Sequence, residues 1–193
     1  MTTDDHDDPA QRRLERWRRS LVVDGRRVPD FDPHDGGASA RLLILLETPG
    51  PGGDGPRMVS RDNPTGTARN LSRFLSEAGI GRADTILWNA VPWIVHAPGA
   101  RNRPLRRGEI AGGLRLLPPF LAHLPDLHVV VLAGRVAAEG QAIVQAARAD
   151  VTMLLMPHPS PTCVCTSPAI RQRIAATLTE AERLLSARHA GGL

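Results

Sequence analysis

The chain has 193 residues, with 24 Lys+Arg against 20 Asp+Glu and a formal charge of +4. Every one of those cations is arginine and tyrosine is absent, which excludes a P-loop lysine, a side-chain Schiff base, a Ser-Lys dyad and tyrosine acid/base chemistry. The length suits one domain, and the small positive charge permits nucleic-acid binding without arguing for it.

In chain order, seven acidic-rich residues precede Asp8-Pro9, an N-cap followed by proline at N1, which predicts an Arg-rich helix to about Ser20. Leu14 and Trp17, three apart, anchor it to the body. A Pro/Asp/Gly-rich stretch, 29–39, leads to the apolar run 42–46, which suits a strand buried on both faces. The runs 85–88, 129–132 and 152–156 repeat the pattern. Helices are expected at about 66–78, 107–122, 135–148 and 168–188, with Gly79 closing the first and Ser167-Pro168 opening the last. Alternating strands and helices predict a single-domain, three-layer α/β/α fold around a mainly parallel four-stranded sheet. The expected organisation is a lead-in over residues 1–40 and the α/β domain over 41–188.

The two cysteines, Cys163 and Cys165, are too few for a zinc site or a four-thiolate cluster, so no metal and no cofactor are expected. No run approaches the ~18 apolar residues of a membrane span, and the charged first 20 residues are unlike a signal peptide. A cytoplasmic monomer without membrane contact is the expectation.

Ligands of open α/β sheets bind beyond the carboxyl ends of the strands. Beyond the first strand stand Glu47-Thr48-Pro49-Gly50-Pro51-Gly52-Gly53, beyond the second Asn89-Ala90-Val91-Pro92-Trp93, beyond the third Ala133-Gly134-Arg135, and beyond the fourth Pro157-His158-Pro159-Ser160-Pro161. A carboxylate, an amide, a histidine and a serine thus gather at one edge among rigid turns.

These segments, in this order, resemble the uracil-DNA glycosylase superfamily. Leu46-Glu47-Thr48-Pro49-Gly50 resembles its first motif, best the G-E-A-P-G form of the iron–sulfur bacterial and archaeal families. Asn89 resembles the asparagine that reads the base. The segment from Pro98 to Ile110 is similar to P-x-N-R-x-P followed by E-I. Val129 to Ala138 resembles the strand–Leu-Gly–helix segment, and His158-Pro159-Ser160-Pro161 matches H-P-S-P as it stands. The likeness covers roughly residues 41–178.

The resemblance implies a monofunctional, cluster-free DNA glycosylase that excises uracil or another deaminated base in base excision repair. It gives His158 the role of a donor to the departing base, and Asn89 that of reading its edge. Backbone at Pro49, Gly50 and Ser160 would hold the phosphates and the pocket wall. Arg103, Arg135 and Arg171 are candidate phosphate contacts or solvated surface residues. Val164 is the apolar residue of the loop 162–166 where relatives insert a wedge, or a packing residue.

Three departures accompany the likeness. The cluster cysteines are absent. Thr48 stands where some families carry a water-positioning Asp or Asn, leaving Glu47 as the nearest carboxylate. Asp62-Asn63-Pro64-Thr65-Gly66 stands where the family has P-F-V-G, and Pro64 would fall at the position of the base-stacking aromatic. Phe74 and Trp93 are candidate substitutes or core residues. The alternative implied is a superfamily member with weak or lost catalysis that binds nucleic acid or nucleotide. An α/β-hydrolase using Ser160 or Glu47 is the least favoured reading, because no G-x-S-x-G elbow is present.

Overall fold

The computed structural model describes residues 8–22, 25–50, 57–97, 99–100 and 103–190. The acidic residues 1–7, the Pro51–Gly53 turn, and Pro98, Arg101 and Asn102 of the P-x-N-R-like segment lie outside the described residues.

Four parallel strands form the sheet: β2 (Leu42–Leu46), β4 (Thr85–Asn89), β5 (Val129–Ala133) and β6 (Thr152–Met156), in the order β4-β2-β5-β6. Leu46 pairs with Asn89, and Ala133 with Met156, so the strands end level at their carboxyl edge. All four fall on the predicted apolar runs. β2 and β5 are central, fully apolar and buried on both faces, as a parallel sheet requires. A two-stranded parallel pair, β1 (Asp30–Phe31) with β3 (Met58–Val59), lies outside the main sheet. Two residues are too few to leave a periodic signal in sequence.

Helix α1 (Pro9–Ser20) is capped by Asp8, which accepts from Ala10 N–H at 2.9 Å. Its Leu14 is fully buried, and Trp17 stacks on Phe120 at 5.2 Å and approaches Trp88 at 5.8 Å. Phe31 completes this cluster, 4.6 Å from Trp88. Helix α2 (Gly66–Glu77) is capped by Thr65, whose hydroxyl accepts from Ala68 N–H.

The predicted helix 107–122 is two helices, α3 (Arg107–Leu114) and α4 (Leu117–Leu121). Pro118 and Pro119 supply no N–H and clash with preceding carbonyls, so they fit only the first turn of a new helix. The predicted helix 135–148 also divides, into α5 (Arg135–Ala138) and α6 (Gln141–Ala147). Gly140 marks the break, packed so close that a Cβ would sit 2.9 Å from Leu117 Cδ1. A short helix, α7 (Pro161–Val164), follows the fourth strand, and α8 (Pro168–Ala190) ends the fold. Among the described residues no helix is long and apolar enough to cross a membrane.

Candidate active site

The first and second strand ends are laced together beyond the sheet. Ala90 N–H donates to Leu46 O at 2.8 Å and Val91 N–H to Glu47 O at 2.9 Å. Asn89, the last residue of β4, is only 4 % exposed. Among the described residues its side-chain amide has no hydrogen-bonding partner. An amide without protein partners keeps its donors and its acceptor open to a ligand at this edge.

Glu47 is half-buried, and among the described residues its carboxylate makes no hydrogen bond or ion pair. The Thr48 hydroxyl donates to Trp93 O at 3.5 Å, a long contact. Pro49 is buried, and the space beside Gly50 is open, with nothing within 4 Å of where a Cβ would stand.

The third and fourth strand ends meet through a glycine. Gly134 N–H donates to Met156 O at 2.8 Å, and its φ of +90° is a conformation that L side chains rarely adopt. The missing side chain matters as much as the dihedral, since a Cβ there would lie 3.0 Å from His158 Cβ and 3.3 Å from its Cδ2. The imidazole lies against bare backbone.

His158 is half-buried, and burial holds its pKa below the usual histidine value, favouring the neutral ring. Its Nδ1 accepts from Ser160 N–H at 3.2 Å. An accepting Nδ1 carries no proton, so this geometry assigns the proton to Nε2. The result is a neutral histidine presenting one N–H donor.

Two contacts from α2 fix the H-P-S-P turn. Asn70 Nδ2 donates to Pro159 O at 2.9 Å. Gly66 lies flush on Pro161, where a Cβ would sit 2.3 Å from the ring Cγ. Asn70 escaped the sequence reading because a single polar residue within a helix looks like solvated surface. The Ser160 and Thr162 hydroxyls are 3.1 Å apart.

The remaining candidates divide. Pro64, expected from the resemblance to take the place of the family aromatic, is exposed beside the start of α2. None of the six aromatics takes over that role. Trp17, Phe31, Trp88 and Phe120 form the core cluster, and Phe74 is buried. Trp93 is turned toward the lead-in, donating from Nε1 to Leu21 O at 3.0 Å. Val164 is 4 % exposed and packs in the core, so it does not project as a wedge.

Arg103 is spent on Glu109, with contacts of 2.5 and 2.9 Å. Hydrogen bonding to Arg103 is the largest cause that lowers the Glu109 pKa to about 2. Glu109 in turn accepts from Arg106 N–H at 2.7 Å and so caps α3. Arg135 and Arg171 are exposed at the starts of α5 and α8, Arg171 reaching Val164 O at 3.4 Å.

The donor set does not fit a four-thiolate cluster: Cys163 and Cys165 are the chain's two cysteines, free and both within or beside α7. Among the described residues no three of His, Cys, Asp and Glu gather as a metal site.

No curated protein matches the chain. The sequence model of the Uracil DNA glycosylase superfamily matches residues 33–179, a stretch that includes all four sheet strands and every residue of the edge described above. By that match over most of its length, supported by the parallel α/β architecture, the chain belongs to the uracil DNA glycosylase superfamily.

Proposed function

We propose that the protein is a monofunctional DNA glycosylase that flips uracil or another deaminated base out of DNA and hydrolyses its N-glycosidic bond. The observation that carries this reading is the neutral His158, with its Nε2–H unspent, at the same edge as the unpartnered amide of Asn89.

Flipping costs a few kcal/mol and exposes the base to such an edge. As the C1′–N bond breaks, its electron pair leaves with the base and positive charge develops on the sugar. His158 Nε2–H donates to the base oxygen where negative charge collects. A donor already fixed by Ser160 and Gly134 needs no reorganisation, and its loss costs about 3–4 kcal/mol by analogy with an oxyanion-hole donor. Asn89 offers an acceptor and donors, matching the N3–H and O4 edge of uracil and mispairing with cytosine. In this reading Glu47 orients the attacking water. The water oxygen bonds C1′, and its proton passes through Glu47 to the departing base. A dissociative reaction asks little base strength of it. The absence of lysine side chains supports a glycosylase without a lyase step.

One observation favours a second reading, a member that binds nucleic acid with little or no catalysis: no aromatic stands beside Pro64 to stack on a flipped base. The test is incubation of the purified chain, with EDTA, on labelled oligonucleotides carrying uracil, hypoxanthine or xanthine, in single strands and mispairs. Alkali then reveals abasic sites. We expect strand breaks on at least one substrate, reduced about a hundredfold or more by His158→Ala. No breaks on any of them would leave the binding-only reading.

A further inference from the structure

A second group of polar side chains gathers on the β4 side of the same edge, and the glycosylase reading leaves it unused. The chain between α1 and β1 folds back along the loop that follows β4. Trp93 donates to Leu21 O, Ile94 N–H donates to Arg27 O at 2.9 Å, and Asp30 N–H donates to Arg57 O at 2.7 Å. These bonds bring Arg26, Arg27 and Arg57 alongside the loop that carries His96. The Arg26 guanidinium lies over the Trp93 ring, 5.4 Å from its centroid, in an exposed position.

His96 is 7 % exposed and neither of its ring nitrogens has a partner. The Nη1 of Arg57 is likewise buried without one. Burial and the like charge of Arg27 both act against the Arg57 cation, and no carboxylate among the described residues offsets them. The charged groups that reach His96 are Arg103, Glu109, Arg57 and Glu47, and Arg103 is already matched by Glu109. Among the described residues, Arg57 is the cation near His96 that no carboxylate matches. Buried donors without acceptors and an uncompensated guanidinium are what an anion site contains before its anion arrives.

A phosphodiester suits this set. It carries one charge and two unesterified oxygens, enough to accept from a guanidinium and an imidazole N–H together. We propose that Arg57, His96 and Arg26 form a phosphate-binding site that takes a phosphodiester of the bound DNA strand. The proposal rests on DNA being the substrate. Arg26 precedes the stretch matched to the family, residues 33–179, so this face is built partly by the chain's own lead-in.

The test is a fluorescence-anisotropy titration of the full chain with an undamaged, labelled duplex over a range of KCl concentrations. Arg57→Gln and Arg26→Glu are compared with wild type, and Arg183→Gln serves as the control, since Arg183 pairs with Glu180 on α8. Each true phosphate contact contributes about 0.9 to the slope of log K against log salt. We expect Arg57→Gln to lower the slope by about 1, with binding weakened about three- to tenfold near physiological salt. Arg26→Glu, an exposed change that spares the fold, is expected to weaken binding at least as much. Unchanged slope and affinity in both variants would overturn the proposal. So would competition by inorganic phosphate that disappears in Arg57→Gln while the DNA slope stays unchanged, because the site would then serve free phosphate. Excision is measured separately on the uracil oligonucleotide. Its absence in the wild type fails the glycosylase reading, whereas the slope still decides the phosphate contact.

Discussion

Asn70 holds the carbonyl of Pro159 at 2.9 Å, tying the second turn of α2 to the residue that follows His158. The H-P-S-P turn is therefore clamped from two sides, by this amide and by the Ser160 N–H to His158 Nδ1 bond within the turn. Asn70→Ala removes the outer clamp without touching substrate. A misplacement of about 1 Å in a catalytic group costs on the order of a hundredfold, so the single-turnover excision rate should fall about ten- to a hundredfold. Affinity for undamaged duplex should hold. Asn70→Asp, equal in size but unable to donate, should behave like the alanine variant. Full activity in Asn70→Asp would show that the bond does not position His158.

Gly134→Ala tests the other support of the imidazole. The φ of +90° makes any side chain strained, and the added methyl would press on His158 at 3.0 Å. Strain of this kind costs about 1–3 kcal/mol. Thermal melting should drop by several degrees, and excision should fall further than the melting shift explains. A variant that melts lower but excises normally would confine Gly134 to a backbone role.

The neutral state of His158 predicts the acid limb of activity. Its pKa is lowered by burial, so the ring stays uncharged down to a pH below the ordinary value of about 6.5. Excision at saturating enzyme should be flat from pH 8 to about 6.5 and fall beneath that, as Nδ1 takes a proton and loses the Ser160 bond. Stability follows the same sign. The unfolded chain binds the proton first, so the stabilising contribution of neutral His158 is present above the unfolded pKa and is lost as pH falls through the window below it. A rate that climbs as pH falls through 6 would contradict the neutral-donor assignment.

Asp35 predicts a dependence of opposite direction to that of an ordinary paired carboxylate. Burial, opposed by Arg61 and Arg82, raises its pKa from 3.8 to about 6. The carboxylate lies in a network that joins Asp32, Ser60, Arg61, Arg82 and Thr85. Between about pH 4 and 6 the folded state binds more protons than the unfolded, so this group's contribution to stability falls as pH rises. The melting temperature of wild type minus that of Asp35→Asn should therefore be more favourable to wild type at pH 4 than at pH 7. A difference independent of pH would refute the raised pKa.

Pro64, which the resemblance sets at the place of a base-stacking aromatic, is exposed beside the start of α2. Stacking of a base on an aromatic ring is worth about 1–3 kcal/mol. Pro64→Phe should lower the KM for a uracil-containing single strand about fivefold or more, with kcat changed little. An unchanged KM would show that the flipped base does not pass this turn.

Much of the fold was legible because a buried parallel strand writes itself as an unbroken apolar run. Leu42–Leu46 and Val129–Ala133 have no polar interruption and pair with strands on both sides. The helix pairs α3/α4 and α5/α6 were fused in the sequence reading because their apolar spacing continues across Pro118 and Gly140. The edge that gathers Glu47, Asn89, Gly134 and His158 was readable from the rule that strands end level. What escaped was pairing at long range, which residue types do not announce. Asn70 meets Pro159 across 89 positions, and Arg57 meets the chain ahead of β1 through the bond from Asp30 N–H to its carbonyl. The aromatics are the sharpest case: six candidates for a stacking platform were countable, but only their packing revealed that they serve elsewhere.

That packing also sets the smallest piece of this chain that can fold. Trp17 and Leu14 of α1 close the aromatic cluster from outside the stretch shared with the family, and Phe31 does so from the β1 pair. A version trimmed to residues 33–179 would expose the faces of Trp88 and Phe120 to water. Such a fragment would be sticky and dye-binding rather than soluble, so the stretch shared with the family relies here on the segment that precedes it.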